Sequence, residues 1–199
     1  MSKFWYYLKS SIIYIVYLII TMVTASAINL IQGENLKLVK LALYILNMGI
    51  LAMVCFVTAH KSGQDEYKIR HSNDIQRRVI MRTGDYYEFD LIREYRKNKG
   101  FIIGVYVSAF MVILLLAKLI LFLFGITESY LDYIFYFLYA TFTMPLELFF
   151  DKLSVYFAIY GVAIIILSCG LGYEVGARSK QRIYDRINKI NEQIHGKKK

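Results

Sequence analysis

The sequence predicts an all-α integral membrane protein: a four-transmembrane-helix bundle with cytoplasmic amphipathic helices and an outer interfacial or re-entrant aromatic segment. Three observations carry this. The 199-residue chain is 57% hydrophobic, above the roughly 45–50% of a soluble domain, and its mean hydropathy is +0.43. Four stretches, at 12–31, 41–59, 101–124 and 153–173, have the roughly 20 apolar residues that cross a bilayer. They barely alternate with polar positions, as buried helices of a soluble protein would. The cations, finally, fall on one side of these stretches. A single membrane domain spanning 1–199 is expected, because the longest polar stretch, His60–Lys99, has only 40 residues, too few for an independent core.

The first stretch, Ile12–Ile31, follows Lys3 and Lys9 and contains "ASA" at Ala25–Ala27. That pattern resembles a secretory signal with a small-residue cleavage site. Apolar character continues through Ile28, Leu30 and Ile31, so a retained signal-anchor is expected. "FWYY" at Phe4–Tyr7 suits the inner headgroup level, where amphipathic aromatic rings sit. The second stretch, Leu41–Ala59, carries Asn47 near its middle, a residue suited to an interhelical hydrogen bond.

Lysine and arginine collect on the cytoplasmic side of short loops. Two precede the first span, ten lie in the 60–99 loop and eight in the 174–199 tail, so 20 of the 24 share one side if the chain crosses four times. Both termini are then cytoplasmic. The outer segment 127–152 contains an apolar run, Tyr133–Phe150, that could be taken for a fifth crossing. A fifth crossing would move the eight tail cations outside. The run also holds Glu147 and Pro145, and charge in hydrocarbon costs at least about 2.5 kcal/mol. It is read as non-crossing, either lying in the outer interface or dipping in and returning. Its six aromatics between Tyr133 and Phe142 suit that depth.

Small residues organise the third and fourth spans. Gly100, Gly104 and Ser108 fall at i, i+4, i+8, and so do Ser168, Gly172 and Gly176. Each set makes one helical stripe at the cytoplasmic end, where small residues let membrane helices approach closely. The two stripes are expected to cross each other within the chain; a homo-oligomer interface is the other use of such stripes. Ala59 and Gly63 could bring the second span into the same cluster.

In the 60–99 loop, "NDIQRRVIMRTG" and "DYYEFDLIREYRK" each open on a capping-box pattern, and Gly84 can stop the first. Two short helices on the inner membrane face are expected. Ten cations face seven carboxylates there, a net +3, which is a solvated surface and not a nucleic-acid patch. In the tail, Ile183, Ile187, Ile190 and Ile194 form one apolar seam among Arg178, Lys180, Arg182, Arg186 and Lys189. A basic amphipathic helix of this kind lies on anionic lipid or packs on the inner loop. The 4-3-4 spacing also fits two heptads of coiled coil, and thus a protein partner.

No catalytic constellation is visible: there is no Walker A loop, HExxH, GxSxG or CxxC. His60, His71 and His195 make no metal spacing. Cys55 and Cys169, both inside apolar spans, form no disulfide framework. Glu128 with Asp132, and Glu147 with Asp151, are carboxylate pairs on the outer side, read as solvated. Lys118 stands six residues before Phe124, roughly 9 Å deep at 1.5 Å per residue. It can snorkel outward or pair with Glu147. Lys118, Glu147 and Asn47 are the candidate intramembrane polar site.

As a set, "HKSGQDEY" after the second span, "KNKGFIIG" into the third and "GLGYEVGARSK" out of the fourth resemble small four-helix integral membrane proteins of Gram-positive-type bacteria. The resemblance covers roughly Phe56 to Lys180. It implies four spans and a bacterial plasma membrane, and no activity.

The expectation is therefore a non-enzymatic, cofactor-free accessory or scaffold subunit. Its cytoplasmic loop and tail would dock a partner or anionic lipid at the inner face. Its partners would be the bilayer and a protein or a second copy, with no nucleic acid. The alternative is a subunit of an oligomeric small-solute or ion transporter or channel.

Overall fold

The structure, a computed structural model, describes residues 3–31, 36–84, 86–87, 89–124, 130–148 and 159–196. They form α1 (Lys3–Asn29), α2 (Lys37–Thr83), α3 (Lys99–Leu123), α4 (Tyr130–Glu147) and α5 (Ile159–Gly196), with no strand among the described residues. Four of these helices, α1, α2, α3 and α5, are long and apolar enough to cross a membrane. Their outward faces are greasy: Ile12, Ile20, Met53, Phe110, Ile113 and Leu167 are each more than half exposed. Their shared interior is filled by Leu18, Leu51, Cys55, Ile103, Met111 and Cys169, all buried. Apolar side chains cover both the inside and the outside of this bundle, as expected where lipid tails take the place of water.

The chief departure from the sequence reading concerns length. α2 runs 47 residues without interruption and α5 runs 38, roughly 70 Å and 57 Å at 1.5 Å per residue. A hydrocarbon core is only about 30 Å thick. The stretch 73–83, expected as a separate short helix, is the last part of α2. Asn73 lies buried within it, ten residues before its end, and caps nothing. Extending an existing helix adds one hydrogen bond per residue, whereas a new helix needs a costly nucleus. Gly84 does end it: at φ 75° its N–H reaches the Ile80 carbonyl at 2.8 Å, the left-handed stop that glycine adopts without strain. The second expected short helix is absent among the described residues of 86–98, which form turns held by Arg93 N–H on Asp90 Oδ1 (3.1 Å) and Tyr95 N–H on the Glu66 carbonyl (3.3 Å); Asp85 and Glu88 lie outside them. The tail is likewise no separate surface helix. It is the second half of α5.

α2 and α5 run parallel and form the largest interface. Gly172 sits against Phe56, Gly176 against His60, and two to three turns on Tyr184 stacks on His71 at 4.0 Å. A methyl group at Gly176 would overlap the His60 carbonyl, so the approach requires glycine there. The two stripes expected to meet each other therefore do not. The α3 stripe faces α5, where a methyl on Gly104 would lie 2.8 Å from Ile166 Cα. Gly172 and Gly176 of α5 face α2 instead. Small residues permit close approach but do not select the partner helix. Ser168 is half-buried, and Ser108 is buried with its hydroxyl on the Gly104 carbonyl at 2.9 Å.

α4 holds the aromatic segment, with Pro145 inside it. Tyr139 to Thr143 are all fully buried. Five consecutive positions at about 100° apiece cover the whole circumference, so this turn is enclosed, unlike a helix that buries one stripe. Tyr139 donates to the Met111 carbonyl at 2.6 Å, and Ala140 packs with Ala25 and Tyr44.

Candidate functional site

Where the bundle gives way to the 86–98 turns, four elements converge on one carboxylate. Glu66 of α2 is 5% exposed, and Lys99, the first residue of α3, is 2% exposed. Lys99 Nζ donates to Glu66 Oε2 at 2.6 Å. The Tyr173 hydroxyl of α5 donates to the same oxygen at 2.5 Å, and the Tyr6 hydroxyl of α1 donates to Oε1. The remaining Lys99 protons reach the Ile92 carbonyl at 2.7 Å and the Glu94 carbonyl at 3.5 Å, and its ammonium lies 4.3 Å from the Tyr6 ring centroid. Tyr95 stacks on Tyr173 at 5.4 Å, and burial pushes its phenol above the usual range.

The chemistry of this cluster follows from its saturation. A buried charge is tolerable only when paired and hydrogen-bonded. Here both carboxylate oxygens and all three ammonium protons are used. Three donors meet the carboxylate and the ammonium has no proton free for a further acceptor, so the pair is compensated where it stands. The cluster joins α1, α2, α3 and α5 at one level, as a polar pin.

Beside the pin, between α1 and α2, lies a cleft of about 530 Å³ lined by Lys9, Ser10, Ser62, Asp65 and Arg93, with Glu66 and Tyr6 at its floor. A second groove, about 330 Å³, runs along α5 past Arg178, Arg182, Ile183 and Arg186.

The sequence-predicted residues fall as follows. Asn47 donates from Nδ2 to the Thr21 carbonyl at 2.8 Å, linking α2 to α1. The side chains of Lys118 and Glu147 lie outside the described ones, as do Asp151 and 197–199. In α5, Arg178 pairs with Glu174 at 2.6 Å and Lys180 lies over the Tyr184 ring at 5.5 Å. Arg182, Ile183, Arg186, Ile187, Lys189, Ile190 and Ile194 are exposed. Among the described residues no three metal-ligating side chains cluster.

Sequence reasoning missed the pin, because Glu66 and Lys99 were counted among solvated loop charges. The available signal was depth. Tyr6, Glu66, Lys99 and Tyr173 all stand within a few residues of the same end of their spans. What defines the protein is thus a helical bundle with four helices of membrane-crossing length and a saturated ion-pair pin at one end. Compared with protein-family models, curated proteins and solved structures, the chain has no match.

Proposed function

We propose that this chain is a non-enzymatic accessory or scaffold subunit of a bacterial plasma membrane, with four crossings and both termini cytoplasmic. It presents the ends of α2 and α5 to a protein partner, and the arginines at the base of the α5 tail to anionic lipid. One observation carries this reading: α5 is a single helix of 38 residues, longer than a hydrocarbon core is thick, and its apolar seam is left uncovered. Ile183, Ile187, Ile190 and Ile194 are 43%, 45%, 54% and 56% exposed. Packing against α2 supports the helix as far as Tyr184, which stacks on Tyr67 and His71. From Tyr173 to Ile194 the helix advances roughly 32 Å, too far for lipid to cover the distal seam but suited to a partner helix. Arg178 and Arg182, within about three turns of Tyr173, stay near headgroup level, where each cation adds about 1 kcal/mol of attraction to an anionic surface.

The cation distribution supports the orientation, and the fully enclosed turn of α4 favours a dip between helices over a surface-lying outer segment. The transporter alternative rests on Lys118, Glu147 and Asn47, and the Asn47 amide is already engaged by Thr21.

The test is the mass of the complex extracted gently from its own membranes with a C-terminal tag. A stoichiometric second polypeptide that disappears on deleting Ile183–Lys199 is expected. A complex indifferent to that deletion sinks the reading. A reporter after Lys199 should read as cytoplasmic.

A further inference from the structure

The geometry points to a binding site in the α1–α2 cleft for an anionic phospholipid with a hydroxylated headgroup, its phosphodiester held by Lys9 and Arg93. The inference rests on the orientation given above, which puts this end of the bundle at the inner headgroup level. At about 530 Å³ the cleft falls in the roughly 300–1,000 Å³ range of ligand sites.

Charge accounting selects an anion. Of the two carboxylates that line the cleft, Glu66 is neutralised by Lys99 at 2.6 Å and Asp65 by Lys68 at 2.8 Å. Lys9 is exposed and has no partner among the described residues. Arg93 reaches Asp90 only through Nε at 3.8 Å, which leaves its terminal nitrogens for a ligand. With Asp90 counted against Arg93, Lys9 leaves the cleft one net positive charge, and a phosphodiester supplies acceptors for both the Lys9 ammonium and the terminal nitrogens of Arg93.

The hydroxyls select the rest of the headgroup. Ser10 Oγ donates to the Tyr6 carbonyl at 2.9 Å and Ser62 Oγ to the Thr58 carbonyl at 3.2 Å. With their protons directed to carbonyls of their own helices, both oxygens present lone pairs that can accept from a ligand. A headgroup bearing O–H donors, such as phosphoglycerol, satisfies them; a trimethylammonium headgroup has no donor to offer.

The flank of the cleft selects a lipid over free phosphate. Ile12, Ile13 and Val16 are about half exposed and lie on the same α1 face as Lys9, one to two turns further into the span. Acyl chains leaving a headgroup seated at Lys9 would run along this face. Phe4 and Trp5, exposed one turn the other way, mark the interface.

The test uses the full chain in nanodiscs of equal parts phosphatidylglycerol and phosphatidylcholine, with native mass spectrometry of retained lipid. Wild type should keep phosphatidylglycerol selectively. Lys9→Gln/Arg93→Gln should lose it by about tenfold or more per charge-assisted hydrogen bond removed, with an unchanged unfolding midpoint. The chain lacking Ile183–Lys199 should retain it, so failure of the tail-docking reading leaves this site standing. Equal retention of phosphatidylcholine, or retention by the Lys9/Arg93 double variant, overturns the proposal. So does inorganic phosphate that raises the midpoint of the detergent-solubilised protein as much as short-chain phosphatidylglycerol does, since the cleft would then hold a free anion.

Discussion

Lys99 and Glu66, 33 residues apart in the chain, meet at 2.6 Å with both side chains almost fully buried. Their contact ties the start of α3 to the middle of α2, and through Tyr6 and Tyr173 it reaches α1 and α5. A buried pair of this kind contributes through the cost of breaking it, not through the pairing itself.

Removing one partner should therefore destabilise strongly. Lys99→Met leaves Glu66 buried without its cation, and Glu66→Leu strands Lys99. Each should cost about 3–5 kcal/mol, whereas the double variant, an apolar pair of similar volume, should recover most of that loss. Reversible unfolding in mixed micelles, read as a double-mutant cycle, checks this. Additive losses would mean that the two side chains do not depend on each other.

The glycines should separate cleanly by what they face. Gly176 lies against the His60 backbone and Gly172 against Phe56, while an added methyl at Gly49 meets nothing within 4 Å. Gly172→Leu and Gly176→Leu should lower the yield of folded protein by forcing α2 from α5. Gly49→Ala should be neutral or stabilising by up to about 1 kcal/mol, the helix-propensity difference. Size-exclusion profiles and thermal unfolding of the three variants decide it.

Asn47→Leu removes the hydrogen bond to the Thr21 carbonyl. Interhelical bonds of this kind average about 0.6 kcal/mol and reach about 1.7 kcal/mol, so a loss in that range is expected from unfolding measurements. A loss well above it would assign Asn47 a further partner.

The tail should behave in the opposite way. Ile187→Asp and Ile190→Asp alter side chains that are 45% and 54% exposed, so the unfolding midpoint should stay where it is. Recovery of the co-purifying partner should fall at least tenfold, since an aspartate in an apolar seam strands a charge in the interface. Unchanged recovery would place the docking surface elsewhere.

How much of this was legible follows from which signals are local. Hydropathy is a property of consecutive residues, so the four long apolar helices could be read from composition and run length, and Gly84 announced the end of α2 because glycine adopts that left-handed backbone without strain. Helix continuity was misjudged because a capping pattern at Asn73 looks the same whether or not a helix already runs through it. The amino-acid sequence by itself determined the helical class, the four spans of membrane-crossing length and the apolar seam on the tail. Only the tertiary structure decided that α2 and α5 leave the bundle as one parallel pair, that Gly172 and Gly176 face α2 rather than α3, and that Glu66 and Lys99 are buried partners. Those outcomes depend on which helix lies beside which, and small residues or lone charges at matched depth are compatible with several neighbours until packing excludes all but one.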